Sequence, residues 1–238
     1  KRKKCLVLDL DNTLWSGILG EDGIDGIKMS GDYPGKAFQF FQEALVELSN
    51  NGVILAVCSK NNEKDVLALW EKNPFVILKE KYISAYRINW NNKADNIKEL
   101  SNELNIGLDS LVFVDDNPAE RELVRLVLPE VEVPDFPNDP YELPVFFQRL
   151  VDNYFKIYSI TEEDRKKTQQ YKANLMRSKE SHNYTNIEEY IRSMNIVVEV
   201  LKADKYNIPR IAQLTQKTNQ FNLTTYRYTD SDILQFIR

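Results

Sequence analysis

Cys5-Leu6-Val7-Leu8-Asp9-Leu10-Asp11-Asn12-Thr13 decides how the rest of the chain is read. The run Cys5-Leu6-Val7-Leu8 is apolar without alternation, which suits a strand covered on both faces, as in a parallel sheet. Asp9 to Thr13 follows at once and places two carboxylates at the carboxyl end of that strand, where open α/β sheets bind ligands. If the chain is still extended there, Asp9 and Asp11 face the same way. They then repel unless a cation or a shared proton lies between them. Taken alone, the stretch also reads as an acidic turn, because Asp-Asn is common turn chemistry.

Outward from that strand, residues 14–33 carry Gly17, Gly20, Gly23, Gly26 and Gly31 among apolar residues, which predicts a tight hairpin or flap and not a helix. Phe38, Phe41, Leu45 and Leu48 recur at helical spacing until Asn50-Asn51-Gly52 stops them. Residues 53–58 read as a second buried strand ending at Ser59, and residues 63–71 as a short helix with an asparagine as N-cap. A turn of helix and a strand near 84–88 follow. Asn89-Trp90-Asn91-Asn92 leads into a helix over 93–104. Residues 111–114 read as a further buried strand, ending in Asp115-Asp116-Asn117-Pro118, with Pro118 in the first turn of the next helix. A last short strand is expected at 131–133, and Asp139-Pro140 opens another helix. Alternating strands and helices predict an α/β fold with a doubly wound parallel sheet.

Past residue 157 the character changes. Residues 162–177 read as a long polar helix, 178–185 as a linker, 186–193 as a helix, 196–201 as a strand and 209–216 as a helix. The expected division is 1–156 for the α/β domain and 157–238 for a linker helix and the start of a second, α+β unit. The sequence stops inside an apparent helix that Asp230 or Asp232 would start, so that unit is expected to be truncated.

The chain has 238 residues, 42% of them hydrophobic and 28% charged, which permits a packed core and disfavours disorder. A net charge of −5 argues against a general nucleic-acid surface. No run is long and apolar enough for a membrane span. Cys5 and Cys58 both sit in apolar runs, which suits a reducing cytoplasm more than a disulfide framework. With His182 the only histidine, a Ser-His-Asp triad or histidine-rich metal site is disfavoured.

Polar groups therefore close four successive strand or loop ends: Asp9 with Asp11, Ser59, Lys93, and Asp115 with Asp116. A phosphoryl group bound among carboxylates needs a divalent cation to offset repulsion, and Mg²⁺ takes one or two carboxylates while keeping several waters. Asp9 and Asp115 suit that role. One carboxylate can attack phosphorus, and a second can protonate the leaving oxygen and then activate water. Ser59 can donate to a phosphoryl oxygen and Lys93 can neutralise developing charge. Singly, Ser59 reads equally as a helix cap, Lys93 as a surface lysine and Asp115-Asp116 as a turn.

In that order these residues resemble the four motifs of the haloacid dehalogenase superfamily of phosphatases and phosphotransferases, over about residues 4–150. The resemblance implies Asp9 as nucleophile, Asp11 as general acid and base, and Mg²⁺ on Asp9, Asp11, Asp115 and Asp116. Thr13, Ser59, Asn61 and Lys93 would bind the phosphate. Leu14-Trp15-Ser16-Gly17, Gly20-Glu21-Asp22-Gly23, Cys58-Ser59-Lys60-Asn61-Asn62, Asn89-Trp90, Asp115 to Arg121 and Thr218-Asn219-Gln220-Phe221-Asn222 resemble the FkbH-like group more narrowly. That group implies an acyltransferase-like second domain and processing of 1,3-bisphosphoglycerate, with the glyceryl unit passed through a thiol to an acyl carrier protein. Cys58 is then the candidate thiol, although strand alternation turns it away from Ser59 and a buried inert cysteine is the competing reading. A plain phosphatase of a sugar phosphate or other small metabolite remains open. A non-enzymatic receiver module is a further alternative, disfavoured because its phosphorylated Asp lies on the third strand. The gaps between motifs leave no room for a large cap domain.

Overall fold

The computed structural model describes residues 3–156, 197–204, 206–217 and 226–237, together with Ala173 and Arg192. The chain forms two compact units, 1–183 and 184–238.

In the first unit, four short apolar runs become strands β1 (Cys5–Leu8), β2 (Ile54–Ser59), β3 (Ile83–Ile88) and β4 (Leu111–Val114). They pair in the order β3-β2-β1-β4, all parallel, with β1 inside. The register sets Leu8 beside both Val57 and Val114, so the polar residues that follow these strands emerge along one edge.

The pleat sends alternate residues of each strand into different layers. Leu6, Leu8, Leu55, Val57, Val112 and Val114 pack on one face, against α2 (Gly35–Asn50), α3 (Glu63–Lys72) and α6 (Leu143–Leu150). Cys5, Val7, Ile54, Ala56, Cys58 and Phe113 pack on the other, against α4 (Lys93–Leu104) and α5 (Pro118–Val127). Both faces are dry, which explains the unbroken apolar runs. Each such side chain contributes roughly 1.5–3 kcal/mol by leaving water.

The helix boundaries follow local chemistry. Asn62, Asn92 and Asn117 accept from the backbone N–H two residues on and so cap α3, α4 and α5. After α2 the chain turns through Gly52 at φ 87°, and its N–H donates to the Ser49 carbonyl, a left-handed exit that favours glycine.

Three expectations change. Residues 14–33 do form a flap, closed by an antiparallel bridge between Ser16 and Lys28, but it encloses a short helix, α1 (Leu19–Gly26), broken at Gly23. The glycines bend this helix without preventing it, because Leu19 anchors it in the core. The expected strand at 131–133 is a single bridge, in which Glu132 pairs with Val112 at the sheet edge before Pro134 ends the pairing. In the second unit, Val197 to Leu201 form no strand among the described residues; their valines are exposed.

Also in the second unit, helices Ile208–Lys217 and Asp230–Phe236 pack through Ile208, Ala212 and Ile233. Thr229, not either aspartate, caps the last helix in a capping box with Asp232. The expected elements over 162–177, 178–185 and 186–193 lie outside the described residues, apart from Ala173 and Arg192, and the expected boundary at 157 lies outside them too. No helix among the described residues is long and apolar enough to cross a membrane.

One buried amide joins these parts. Gln42, on α2, donates to the Leu14 carbonyl at 2.7 Å and accepts from the N–H groups of Ile77 and Leu78 at 3.0 Å each. Gln42→Leu removes all three bonds. With unpaired buried groups costing roughly 1–3 kcal/mol each, a loss of about 2 kcal/mol or more is expected in urea denaturation.

Candidate active site

Because Leu8 and Val114 are paired, Asp9 and Asp115 leave β1 and β4 side by side, and Asp9 N–H still donates to the Val114 carbonyl at 2.9 Å. Carboxylate oxygens of Asp9, Asp115 and Asp116 all lie within 4.8 Å of one another. Lys93, at the first turn of α4, reaches between two of them. Its Nζ is 2.5 Å from Asp115 Oδ2, as a hydrogen bond, and 2.9 Å from Asp9 Oδ1. The second approach is an ion contact without hydrogen-bond alignment, leaving Asp9 Oδ1 buried with no hydrogen-bond partner.

The electrostatics follow from burial. Burial and the neighbouring Asp9 push the Asp115 carboxyl up to about 6, against the pull of Lys93. Asp116 is raised to about 6 for the same two reasons. Burial works against the Lys93 ammonium, but Asp9 and Asp115 outweigh it and hold it above the ordinary lysine value. An all-oxygen cluster of three carboxylates offset by one ammonium suits a hard divalent cation.

The Asp11 carboxylate stands apart from that cluster, so the condition for it to face the same way as Asp9, a chain still extended there, is not met. The chain turns at Leu10, whose carbonyl accepts from Thr13 and Leu14 N–H, and Asn12 has φ 54°. Strand alternation therefore stops before Asp11. Its Oδ1 accepts from Trp15 Nε1 at 2.9 Å and Leu19 N–H at 3.0 Å, and its Oδ2 from Asn61 Nδ2 at 2.8 Å. Burial raises its carboxyl above the ordinary range in spite of these bonds.

Ser59 ends β2, buried, and its carbonyl accepts from Asn89 N–H. Thr13 is fully buried and its hydroxyl is engaged with Asp116, accepting from the N–H at 3.2 Å and donating to Oδ1 at 3.4 Å. Cys58 is buried, with no hydrogen bond to the carboxylates. It packs in the apolar layer with Ala56 and Ala94, its Sγ 3.8 Å from the Lys93 carbonyl, and burial pushes its thiol up to about 12.

Several positioning residues have no role assigned to them by the sequence. Arg121 donates through Nη1 to the carbonyls of both Asp115 and Asp116, at 2.8 and 2.7 Å. Trp15 fixes Asp11, and Asn12 Oδ1 accepts from Gly17 N–H at the base of the flap. Lys60 and Glu120 join the β2 and β4 loops by a 2.6 Å ion pair. Arg121, Trp15 and Lys60 lie inside the stretches that carry the narrower family resemblance, which marks them without saying what they hold.

Removing Lys93 leaves two buried carboxylates facing each other. Without divalent cation, Lys93→Met should lose about 3–5 kcal/mol, the usual cost of breaking a buried pair. It also raises the Asp115 pKa further, so protons bind the folded state more than the unfolded one. The loss should thus be largest near pH 8 and shrink as pH falls through that raised value. Chemical denaturation in EDTA at pH 5 and pH 8 checks both signs.

Residues 4–125 match the NLI interacting factor-like phosphatase family. The N-terminal part of a Bacteroides fragilis protein, containing a phosphatase domain and complexed with Mg, is similar at 48% identity and a TM-score of 0.63. That match covers 67% of this chain and 42% of the other, so the chain spans under half of this relative's length. The haloacid dehalogenase domain of a Legionella pneumophila effector, an inactive mutant, is similar at 15% identity and a TM-score of 0.48, covering 65% of this chain and 96% of that one. No curated protein matches. With more than half of its residues matched to the family, and with that family's chemistry suited to the carboxylates at the β1 and β4 ends, the chain belongs to the NLI interacting factor-like phosphatases.

Proposed function

We propose that the chain is a Mg²⁺-dependent phosphatase of a phosphorylated small molecule, working through an aspartyl phosphate on Asp9. The observation that carries this is the separation of the carboxylates. Asp9, Asp115 and Asp116 form one oxygen cluster, while Asp11 is held apart with a raised pKa. The Mg²⁺ complex of the Bacteroides fragilis phosphatase domain supports the same cation here. Asp9, Asp115 and Asp116 would hold it, and it would offset the charge of the phosphoryl oxygens.

An Asp9 carboxylate oxygen attacks phosphorus and the bond to the leaving oxygen breaks. Asp11, whose carboxyl burial raises above the ordinary range, gives its proton to that oxygen. Asp11 then takes a proton from the water that attacks the phosphorus of the aspartyl phosphate, releasing phosphate and restoring Asp9. Lys93 neutralises charge beside Asp9, and Ser59 and Asn61 border the phosphate. We assign Thr13 to holding the Asp116 loop, since its hydroxyl is already engaged there.

The FkbH-like motifs support a narrower form: 1,3-bisphosphoglycerate as substrate, the glyceryl unit passing to an acyl carrier protein, and residues beyond 157 beginning an acyltransferase-like domain. The burial of Cys58 favours the plain phosphatase, because a thiol titrating near 12 is almost wholly protonated at neutral pH. Both cysteines are free and buried, which suits a cytoplasmic setting. Mass spectrometry after incubation with bisphosphoglycerate separates the forms. A glyceryl adduct on Cys58, absent in Cys58→Ala, supports transfer; phosphate release with neither cysteine modified supports hydrolysis alone.

Asp9→Asn should abolish turnover while leaving the far-ultraviolet spectrum unchanged, and EDTA should remove the wild-type activity until Mg²⁺ is added. Undiminished phosphate release by the variant would refute the nucleophile. Asp11→Asn should slow alkyl phosphates by about 10²–10⁴-fold. The effect should be smaller on acyl phosphates, whose leaving groups need less protonation; steady-state kinetics on the two classes checks the difference.

A further inference from the structure

Beside the carboxylate cluster lies a cavity of about 440 Å³ that the phosphoryl chemistry does not use. That volume falls in the range of small-molecule sites, roughly 300–1,000 Å³. It opens onto the site, because Asn12 of the β1 loop and Asp116 of the β4 loop both line it. Tyr33 and Phe136 supply aromatic walls, and Ser16 and Asn138 add polar groups. No lysine, arginine or histidine is part of its lining.

The wall is preformed. The Tyr33 hydroxyl donates to Asp139 Oδ1 at 2.7 Å, and its ring lies 5.0 Å from that of Tyr141. The turn after Tyr33 is set by a close backbone approach: a Cβ at Gly35 would come within 2.3 Å of the Ser30 carbonyl oxygen.

A second phosphate or a carboxylate entering this cavity would leave water with no lysine, arginine or histidine side chain in the lining to pair it. A neutral ring carrying hydroxyls avoids this cost. Its C–H faces can lie on Tyr33 and Phe136, while the amides of Asn12 and Asn138 and the Ser16 hydroxyl offer donors and acceptors. Resting on the phosphatase reading above, we propose that this cavity receives the organic part of the substrate as a neutral, hydroxyl-bearing ring. The substrate class is then sugar monophosphates, in preference to bisphosphates and phosphorylated acids.

The test uses the full 238-residue chain with Mg²⁺ and three probes: glucose 6-phosphate, glucose 1,6-bisphosphate, and acetyl phosphate, which is too small to reach the aromatic walls. Wild-type kcat/KM should favour the monophosphate over the bisphosphate by about tenfold or more, the scale of one pocket contact. Tyr33→Ala should lower the ratio of glucose 6-phosphate to acetyl phosphate by a similar factor. Asn138→Lys should narrow the gap between bisphosphate and monophosphate. Both positions are solvent-exposed, so the variants should fold, and thermal denaturation verifies it. A bisphosphate turned over as well as the monophosphate, or ratios that neither variant moves, would overturn the cavity assignment while acetyl phosphate hydrolysis still upheld the phosphatase. Absence of Mg²⁺-dependent hydrolysis of any of the three would remove the phosphatase reading and the cavity assignment with it.

Discussion

The buried contact of Lys93 with Asp9 and Asp115 is the constraint on which the site depends. Two buried carboxylates that follow paired neighbouring strands cannot lie side by side without a compensating charge. Lys93 supplies that charge from the first turn of α4, which ties this helix to the ends of β1 and β4. The single ammonium does not balance three carboxylates. Asp115 and Asp116 are both pushed up to about 6, by burial first and by the neighbouring Asp9 second, and the unbalanced negative charge makes the cluster receptive to a divalent cation.

Around this cluster, the loops are held by bonds to backbone groups. Thr13 holds the N–H of Asp116, Arg121 holds the carbonyls of Asp115 and Asp116, and Gln42 holds the carbonyl of Leu14. Backbone straps fix where the loops run. The Asp11 carboxylate is held by donors of its own, Trp15, Leu19 and Asn61, none of which touches the other carboxylates. A group that must exchange a proton at a defined place benefits from that grip.

The small flap has a second consequence. With only α1 and the Ser16–Lys28 bridge between β1 and α2, nothing in residues 14–33 forms a cap domain. The space beside Asp116 is instead walled by the turn carrying Tyr33 and by the segment around Phe136, from opposite ends of the same unit. Selectivity in such a site is carried by a few side chains on a rigid rim.

The sequence by itself determined the four paired strands, the helices of the α/β unit other than α1, and the residues at the sheet's carboxyl edge. These rest on local signals: unbroken apolar runs such as Leu111 to Val114, asparagine caps such as Asn62 and Asn92, and the stop at Gly52. The order of strands by which Asp9 and Asp115 become neighbours is long-range and is not read from the sequence; the motif pattern implies only that both carboxylates meet at one cation. What only the tertiary structure decided depends on packing between distant segments. The turn at Leu10 and Asn12 moves Asp11 out of the carboxylate cluster, because backbone bonds from Thr13 and Leu14 override strand alternation. Edge position reduces the apolar run at 131–133 to one bridge, and a core anchor at Leu19 lets a glycine-rich flap hold a helix. The walls of the cavity, Tyr33 and Phe136, are a hundred residues apart in sequence. Only the folded chain, by burying α2 and α6 on one face of the sheet, brings them to the same site.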